Sequence, residues 1–236
     1  MWRGRRLTFT AVLGQTSIKS KIAGGIHLAV ISSMTTSVVD MPLTGRNFDA
    51  LLTEAVRFHG HLCPGQVLGV RMALAGCAAL GLDRPRSVGK RLVVFVEIDR
   101  CATDAIQVVT GVSLGKRTLK HIDHGKMAAT FVDVVNGAAR RVVARDDARE
   151  RASEWAPGES DPRRTQVVAY RRMPDELLLA IQPVTIRPGW LDRQRVRVSC
   201  AVCGEGINYQ REVLAGGRVV CRACAGHRYY APLMPQ

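Results

Sequence analysis

The chain has 236 residues, 47% of them hydrophobic and only 5% aromatic, with a formal net charge of +14 and a sequence pI near 10.2. That length accommodates one substantial domain and a small module, with a core built mainly from Ala, Val, Leu and Ile. No stretch approaches the roughly 18 apolar residues of a membrane-spanning helix, which excludes a helical span.

The positive charge favours anionic partners, but much of the excess is Arg scattered among acids, as between Arg140 and Arg172, so nucleic-acid binding is weakly supported by charge. Of the seven cysteines, four pair as two CxxC units. This usage suits reduced thiols that act as ligands or reactive groups, and it points to the cytoplasm.

In chain order, Arg5-Arg6 faintly resembles a twin-arginine signal, but Lys19 and Lys21 interrupt the apolar run before an export signal forms. Residues 1–40 are therefore expected to be a disordered extension or a misassigned start, with Met34 and Met41 as internal starts. Phe48, Leu51, Leu52, Ala55 and Val56 have helical spacing and predict a helix over Asn47–Phe58. It delivers the chain to His59-Gly60-His61-Leu62-Cys63-Pro64-Gly65, two imidazoles and a thiol within five positions. Both side-chain types ligate borderline or soft metals. On an extended segment His59, His61 and Cys63 would share one face.

A second helix is predicted from Pro64 to Leu80, with Pro64 in its first turn and Gly81 ending it. Cys77, set among Ala and Leu, reads as a small core residue. The β-branched run Leu92–Val96 reads as a buried strand, followed by a helix over Ala105–Thr110. That places Cys101 at a strand-to-helix junction, where ligand crevices open in α/β sheets. Asp104 beside it is read either as a partner that fixes a histidine tautomer or as a solvated helix cap. Gly115-Lys116-Arg117 reads as a basic turn, and strands are predicted at Leu119–Ile122 and Met127–Val135 around an Asp123-His124-Gly125 turn. Arg140–Arg151 reads as a charge-mixed segment and Trp155–Arg164 as a loop. Pro174–Ala180 opens a short helix, or Leu177–Ile181 begins a strand, and Pro183, Pro188 and Gly189 mark a hinge.

Residues 196–236 form a separate module. Cys200-x2-Cys203 and Cys221-x2-Cys224, seventeen residues apart, have the spacing of a four-thiolate zinc site. Gly216-Gly217, between Tyr209–Leu214 and Arg218–Val220, signals a hairpin. Arg197, Arg211, Arg218 and Arg222 are available to offset the thiolate charge. With all four positions filled by protein, this zinc is structural and does no chemistry.

Three separated motifs, FHGHLCPGQVLGVRMA from Phe58, EIDRCATDAIQVVTGVSLGK from Glu97 and DHGKMAATF from Asp123, together resemble the E-subunit family of formylmethanofuran dehydrogenase over residues 46–190. The resemblance implies an α+β core domain with mixed helices and strands, and a small C-terminal treble-clef or ribbon zinc module. It further implies a homodimer, association with subunits of a larger redox complex, and a metal or active site around the histidine-cysteine motif. Where the family commonly has a cysteine after the second motif, this chain has Val112. The candidate core ligands are His59, His61, Cys63 and Cys101, with Cys63, Cys101 and His61 as candidate catalytic groups. One zinc per chain is expected in the finger and a second metal ion in the core. Whether the core turns over a substrate is left open. The competing reading is a basic zinc-finger module that binds nucleic acid or a protein partner while the core dimerises. A third is a thiol enzyme without core metal.

Overall fold

The structure, a computed structural model, describes residues 48–191, 195–231 and 233. The expectation for residues 1–40 lies outside the described residues.

Helix α1 runs Phe48–His59 and buries Leu51, Leu52 and Ala55 along one face. Helix α2, Pro64–Ala79, begins at Cys63 as N-cap with Pro64 in the first turn, as predicted. Ten of its residues are buried, including Gln66, Val67, Leu68, Gly69, Val70, Met72 and Cys77, so it has no solvent face to speak of and forms the spine of the core. Strand β1 is Leu92–Val96, buried throughout. Helix α3 starts earlier than periodicity suggested, at Cys101, and ends at Thr110 on Gly111 in the left-handed conformation (φ 74°). Lys116 Nζ donates to the Gly111 carbonyl at 3.0 Å, so the basic turn carries a structural cation near the end of α3.

Strands β2 (Leu119–His121), β3 (Ala128–Asp133), β4 (Ala139–Ala144) and β5 (Leu179–Val184) complete a five-stranded sheet of order β2-β1-β3-β4-β5. The two strands predicted around the Asp123-His124-Gly125 turn do not pair with each other. Strand β1 lies between them, parallel to β2 and antiparallel to β3, with Val94 opposite both Leu119 and Phe131. The crossing chain is tied to the end of β1 by the His124 and Lys126 N–H groups, which both donate to the Glu97 carbonyl.

Pleat alternation divides the sheet's two faces. Leu92, Val94, Val96, Ala129, Phe131 and Val142 join the helices in the main core, whereas Val93, Phe95, Val132 and Ala139 face a smaller cluster with Ile122, Val184, Ile186 and Leu191. The helices thus form one layer on one side of a mixed sheet. Phe131 is fully buried, and α2 accommodates it because residue 76 is Gly: a Cβ there would sit 2.3 Å from the Phe131 ring.

Three departures from the sequence reading have physical causes. The segment from Arg140 contains β4, whose alternation is obscured because Arg141 is held by a carboxylate: its guanidinium pairs bidentately with Glu97 at 2.6 and 2.7 Å. The loop predicted over Trp155–Arg164 gives way at Pro162 to helix α6 (Pro162–Arg172), after two short helical turns, α4 (Asp147–Glu150) and α5 (Ala152–Trp155). Asp161 caps α6 by accepting from the Arg164 N–H at 2.7 Å, and Arg71 of α2 donates to the Tyr170 and Met173 carbonyls at its far end. Pro174–Ile181 satisfies both of its alternatives, with α7 (Asp175–Leu178) leading into β5. Pro183 belongs to β5 rather than to a hinge. It is tolerated because β5 is an edge strand, paired among the described residues with β4 alone.

The C-terminal module has two hairpins. Strands β6 (Arg197–Ser199) and β7 (Gly206–Asn208) enclose the first CxxC, and β8 (Val213–Ala215) and β9 (Arg218–Val220) lead to the second. Gly216 and Gly217 both have positive φ (56° and 74°), the backbone of a tight two-residue hairpin turn. Tyr209 and Gln210 also have positive φ (62° and 56°), which breaks the predicted strand from Tyr209 and delays β8 to Val213. The second CxxC closes in a helical turn, with Ala225 N–H donating to the Cys221 carbonyl.

Candidate functional site

The His59-to-Gly65 motif joins α1 to α2, but not as an extended segment. His59 is the last residue of α1, and Gly60 (φ 97°, N–H to the Val56 carbonyl) reverses the chain. A residue with a Cβ adopts that φ only under strain, so the glycine is what folds His61 back over His59. The two rings lie 4.6 Å apart between centroids, tilted by 40°. Cys63 then enters as N-cap of α2 in extended conformation (φ −147°, ψ 166°). The ligand atoms of His59, His61 and Cys63 all lie within 4.8 Å of one another. The three residues share a face because of a glycine turn, not a strand period.

His59 is held from the neighbouring helix. Its Nδ1 is 2.8 Å from Asp104 Oδ2 on the first turn of α3. Its Nε2 is buried and has no hydrogen-bond partner among the described residues. With the Nδ1 proton directed at the carboxylate, the Nε2 lone pair is left for something else. Of the two sequence readings of Asp104, the geometry supplies a direct contact to the histidine.

Cys101, the first residue of α3, stands outside the cluster of three but beside Gly65 of the turn that carries Cys63. Burial and the neighbouring Cys63 thiol push the Cys101 thiol up from its ordinary pKa. The closeness has a packing cause. A Cβ on Gly65 would lie 2.8 Å from Cys101 Cβ, and one on Gly69 would lie 2.5 Å from the Ala102 carbonyl oxygen. Two glycines four apart therefore let α2 lie against the backbone of α3. Gln66, fully buried, reinforces the contact by donating Nε2 to the Cys101 carbonyl at 2.6 Å, and its Oε1 has no partner among the described residues. Sequence reasoning passed over Gln66; the signal was a lone amide in a helix whose only charged side chain is Arg71.

An adjoining cleft of about 480 Å³ is lined by His59, Asp99, Arg100, Cys101, Thr103 and Asp104. Cys77, by contrast, is fully buried and its thiol is pushed up to about 12 by burial, which makes it inert core. Val112 is likewise buried. Glu97 of the second motif is occupied by Arg141, with His124 Nδ1 3.5 Å away, and hydrogen bonding from Arg141 holds its carboxyl below the usual range.

In the finger the four thiols of Cys200, Cys203, Cys221 and Cys224 gather within 4.8 Å of one another. The Cys221 N–H donates to Cys200 Sγ at 3.2 Å and the Cys224 N–H to Cys221 Sγ at 3.4 Å. Amide donors, that of Cys203 foremost, lower the Cys200 thiol to about 6. Backbone dipoles thus favour the Cys200 thiolate, whereas burial and the neighbouring thiols push Cys203 up to about 12 and the Cys221 thiol raises Cys224, the crowding that a divalent ion would relieve. Arg211, one of the arginines available to offset the thiolate charge, lies over the Tyr209 ring (5.7 Å to its centroid). Arg117, from the basic turn of the core, stacks on the same ring at 3.7 Å.

No helix among the described residues is long and apolar enough to cross a membrane. The FmdE family model, described as molybdenum formylmethanofuran dehydrogenase operon, matches residues 58–181, and the prokaryotic dksA/traR C4-type zinc finger model matches residues 195–230. The chain is similar to a probable S-adenosyl-L-methionine-binding protein of Archaeoglobus fulgidus, at 45% identity over 84 residues. Those residues are 35% of this chain and 23% of the relative, so the match spans about a quarter of that protein's length. A solved FmdE-like protein of the tungsten formylmethanofuran dehydrogenase type, from Syntrophus aciditrophicus, aligns with a TM-score of 0.57 at 20% identity, covering 81% of this chain and 99% of that one, which shows a shared fold. With the family match covering more than half its length, the chain belongs to the FmdE family and carries a C4-type zinc finger behind the family domain.

Proposed function

We propose that this metal-binding protein takes two ions per chain, a structural zinc in the finger and a second divalent ion held in the core by His59, His61 and Cys63, the core site being the functional one. The observation that carries the core assignment is the buried, partnerless Nε2 of His59, whose Nδ1 is engaged by Asp104 and which lies in a cluster with His61 and Cys63. A bare imidazole nitrogen costs free energy in a buried setting unless a ligand completes it. Two imidazoles and a thiolate suit zinc, and three protein ligands leave a position open, as in catalytic zinc sites. When bound, such an ion supplies Lewis acidity toward a carbonyl or a water.

The remaining groups have separable tasks. Asp104 orients His59, the glycine pair of α2 brings the two helix N-termini together, and the cleft with Asp99, Arg100 and Thr103 offers polar contacts to a ligand beside the ion. The test is metal content of the purified full chain. Two ions are expected, one lost in Cys63→Ser and the other in Cys200→Ser. A single ion that survives Cys63→Ser and His59→Ala would refute the core site.

A second reading concerns the ligand of the cleft. The name of the Archaeoglobus fulgidus relative supports S-adenosyl-L-methionine, whose ammonium and sulfonium charges the carboxylates of Asp99 and Asp104 would complement. Calorimetry with this compound and with S-adenosyl-L-homocysteine tests that reading. Saturable binding weakened by Asp99→Ala is expected; no heat with either compound would set it aside.

A further inference from the structure

Two thiols from distant parts of the chain, Cys63 and Cys101, stand at the starts of adjacent helices, where a Cβ on Gly65, two residues after Cys63, would lie 3.6 Å from Cys101 Sγ. Both are reduced and both are only partly buried, unlike Cys77. Packing alone does not require the pair. Gly65 leaves the space that Cys101 fills, and the buried Gln66 side chain pins the Cys101 carbonyl, so the second thiol is held beside the turn that carries the first. Cys63 is itself only partly buried, and Cys101 lines the adjoining open cleft, so a small oxidant can approach the pair. Only Cys63 of the two belongs to the cluster with His59 and His61.

We propose that Cys101 is a resolving thiol for Cys63, and that oxidation of the pair to a disulfide withdraws Cys63 from the core site and releases its ion. The inference rests on the core metal reading above. The oxidant is a hydroperoxide or a low-molecular-weight disulfide. With a hydroperoxide ROOH, the Cys63 thiolate attacks the peroxide oxygen, the O–O bond breaks, and ROH leaves as Cys63 becomes a sulfenic acid. The Cys101 sulfur then attacks the Cys63 sulfur, the S–O bond breaks and water leaves. Two thiols have lost two protons and two electrons, and the peroxide has been reduced to ROH and water. With a disulfide oxidant the mixed disulfide forms first, and Cys101 expels the second small thiol. A sulfur bound to sulfur is no longer a thiolate donor, so the site keeps two imidazoles and loses its anionic ligand.

The experiment uses the full chain loaded with Co²⁺, whose absorption reports thiolate ligation, and treats it with increasing hydrogen peroxide or oxidised glutathione. After alkylation of remaining thiols, tryptic fragments are separated without reduction. Expected is a linkage between the fragment Phe58–Arg71 and the fragment Cys101–Lys116, formed in step with loss of one ion per chain and reversed by a dithiol. In Cys101→Ser the reduced protein keeps two ions, and the same oxidant dose leaves the core ion in place at least several-fold longer. Alkylation of both cysteines at doses that oxidise free glutathione would overturn the proposal, as would loss of the core ion in reduced Cys101→Ser, which would make Cys101 a ligand. Absence of a core ion in the reduced wild type, with the linked fragments still forming, would instead sink the metal reading and leave the thiol pair standing without its metal-releasing role.

Discussion

Removing the carboxylate behind His59 separates a metal site from a chance cluster. Asp104 contacts His59 Nδ1 at 2.8 Å, and the side chains are 42% and 15% exposed. Partners of this kind typically contribute 10- to 100-fold in metal affinity by fixing the tautomer and raising ligand basicity. Because solvent reaches nearly half of the Asp104 side chain, its charge is screened. The expected loss in Asp104→Ala is therefore near the lower end, about 10- to 30-fold, or about 1.4–2 kcal/mol. Asp104→Asn keeps an acceptor but removes the charge, so it is expected to lose roughly half of that free energy. The assay is a Zn²⁺ titration of the full chain against a chromophoric chelator, reading the weaker of two sites. Asp99→Ala, which removes a charge from the same cleft without touching the His59 contact, is the control and is expected to stay within about two-fold of wild type. Wild-type affinity in Asp104→Ala would refute the argument that the carboxylate orients a ligand, and equal losses in Asp104→Ala and Asp99→Ala would reduce it to cleft charge.

Gly69→Ala places a Cβ 2.5 Å from the Ala102 carbonyl oxygen and 2.7 Å from Ala105 Cβ, so overpacking of about 1–3 kcal/mol outweighs the ~1 kcal/mol that Ala gains over Gly in a helix. Thermal melts should show a clear drop in Tm against Gly115→Ala, where nothing lies within 4 Å, together with weaker core metal binding; equal Tm values would refute the packing argument. Acid stability follows from Asp133, fully buried and paired bidentately with Arg91, whose hydrogen bond holds the Asp133 carboxyl below its usual value. A lowered folded-state pKa adds stability above the unfolded value, about pH 4, that is lost as pH falls through the folded value. Asp133→Asn should therefore lower stability at pH 7 and flatten its dependence below about pH 4, as read by urea unfolding at several pH values; an unchanged slope would show that the pair is not linked to folding. Chelation of the finger ion, or Cys221→Ser, should expose residues 195–230 to protease while residues 58–181 stay resistant, and equal resistance of both would contradict a metal-dependent finger.

The two ends of the chain were legible to different degrees because their chemistry is encoded at different ranges. In the finger, each CxxC pair is local and Gly216-Gly217 dictates its own turn, so ligand set and hairpin follow from spacing. In the core, α1, α2 and β1 announce themselves through apolar periodicity, but sheet order does not: nothing within Leu119–Val135 reveals that β1 inserts between β2 and β3. Strand β4 hid because Arg141 is neutralised by Glu97, forty-four positions away. Helix α6 hid because its stabilisation is at its ends; Asp161-Pro162 was a readable cap signal, whereas Arg71 reaching Tyr170 and Met173 was not. The shared face of His59 and His61 was foreseen for a local reason that the structure replaces with another, the Gly60 reversal.

The core site is thus assembled by backbone proximity more than by its own side chains. His59 ends one helix, Cys63 opens the next and Cys101 opens a third, so three helix termini must meet before any two of these groups can act together. Helix ends are fixed less firmly than helix middles, since their backbone groups lack intrahelical partners. Here the meeting is enforced from the sides, by Gly65 and Gly69 against α3, by Gln66 on the Cys101 carbonyl and by Asp104 on His59. None of these four is itself a proposed metal ligand. It follows that the ligands can be kept intact and the site still lost by adding a methyl group at position 69. The same packing sets Cys101 beside the turn that carries Cys63, which is what the proposed competition between thiol and metal requires.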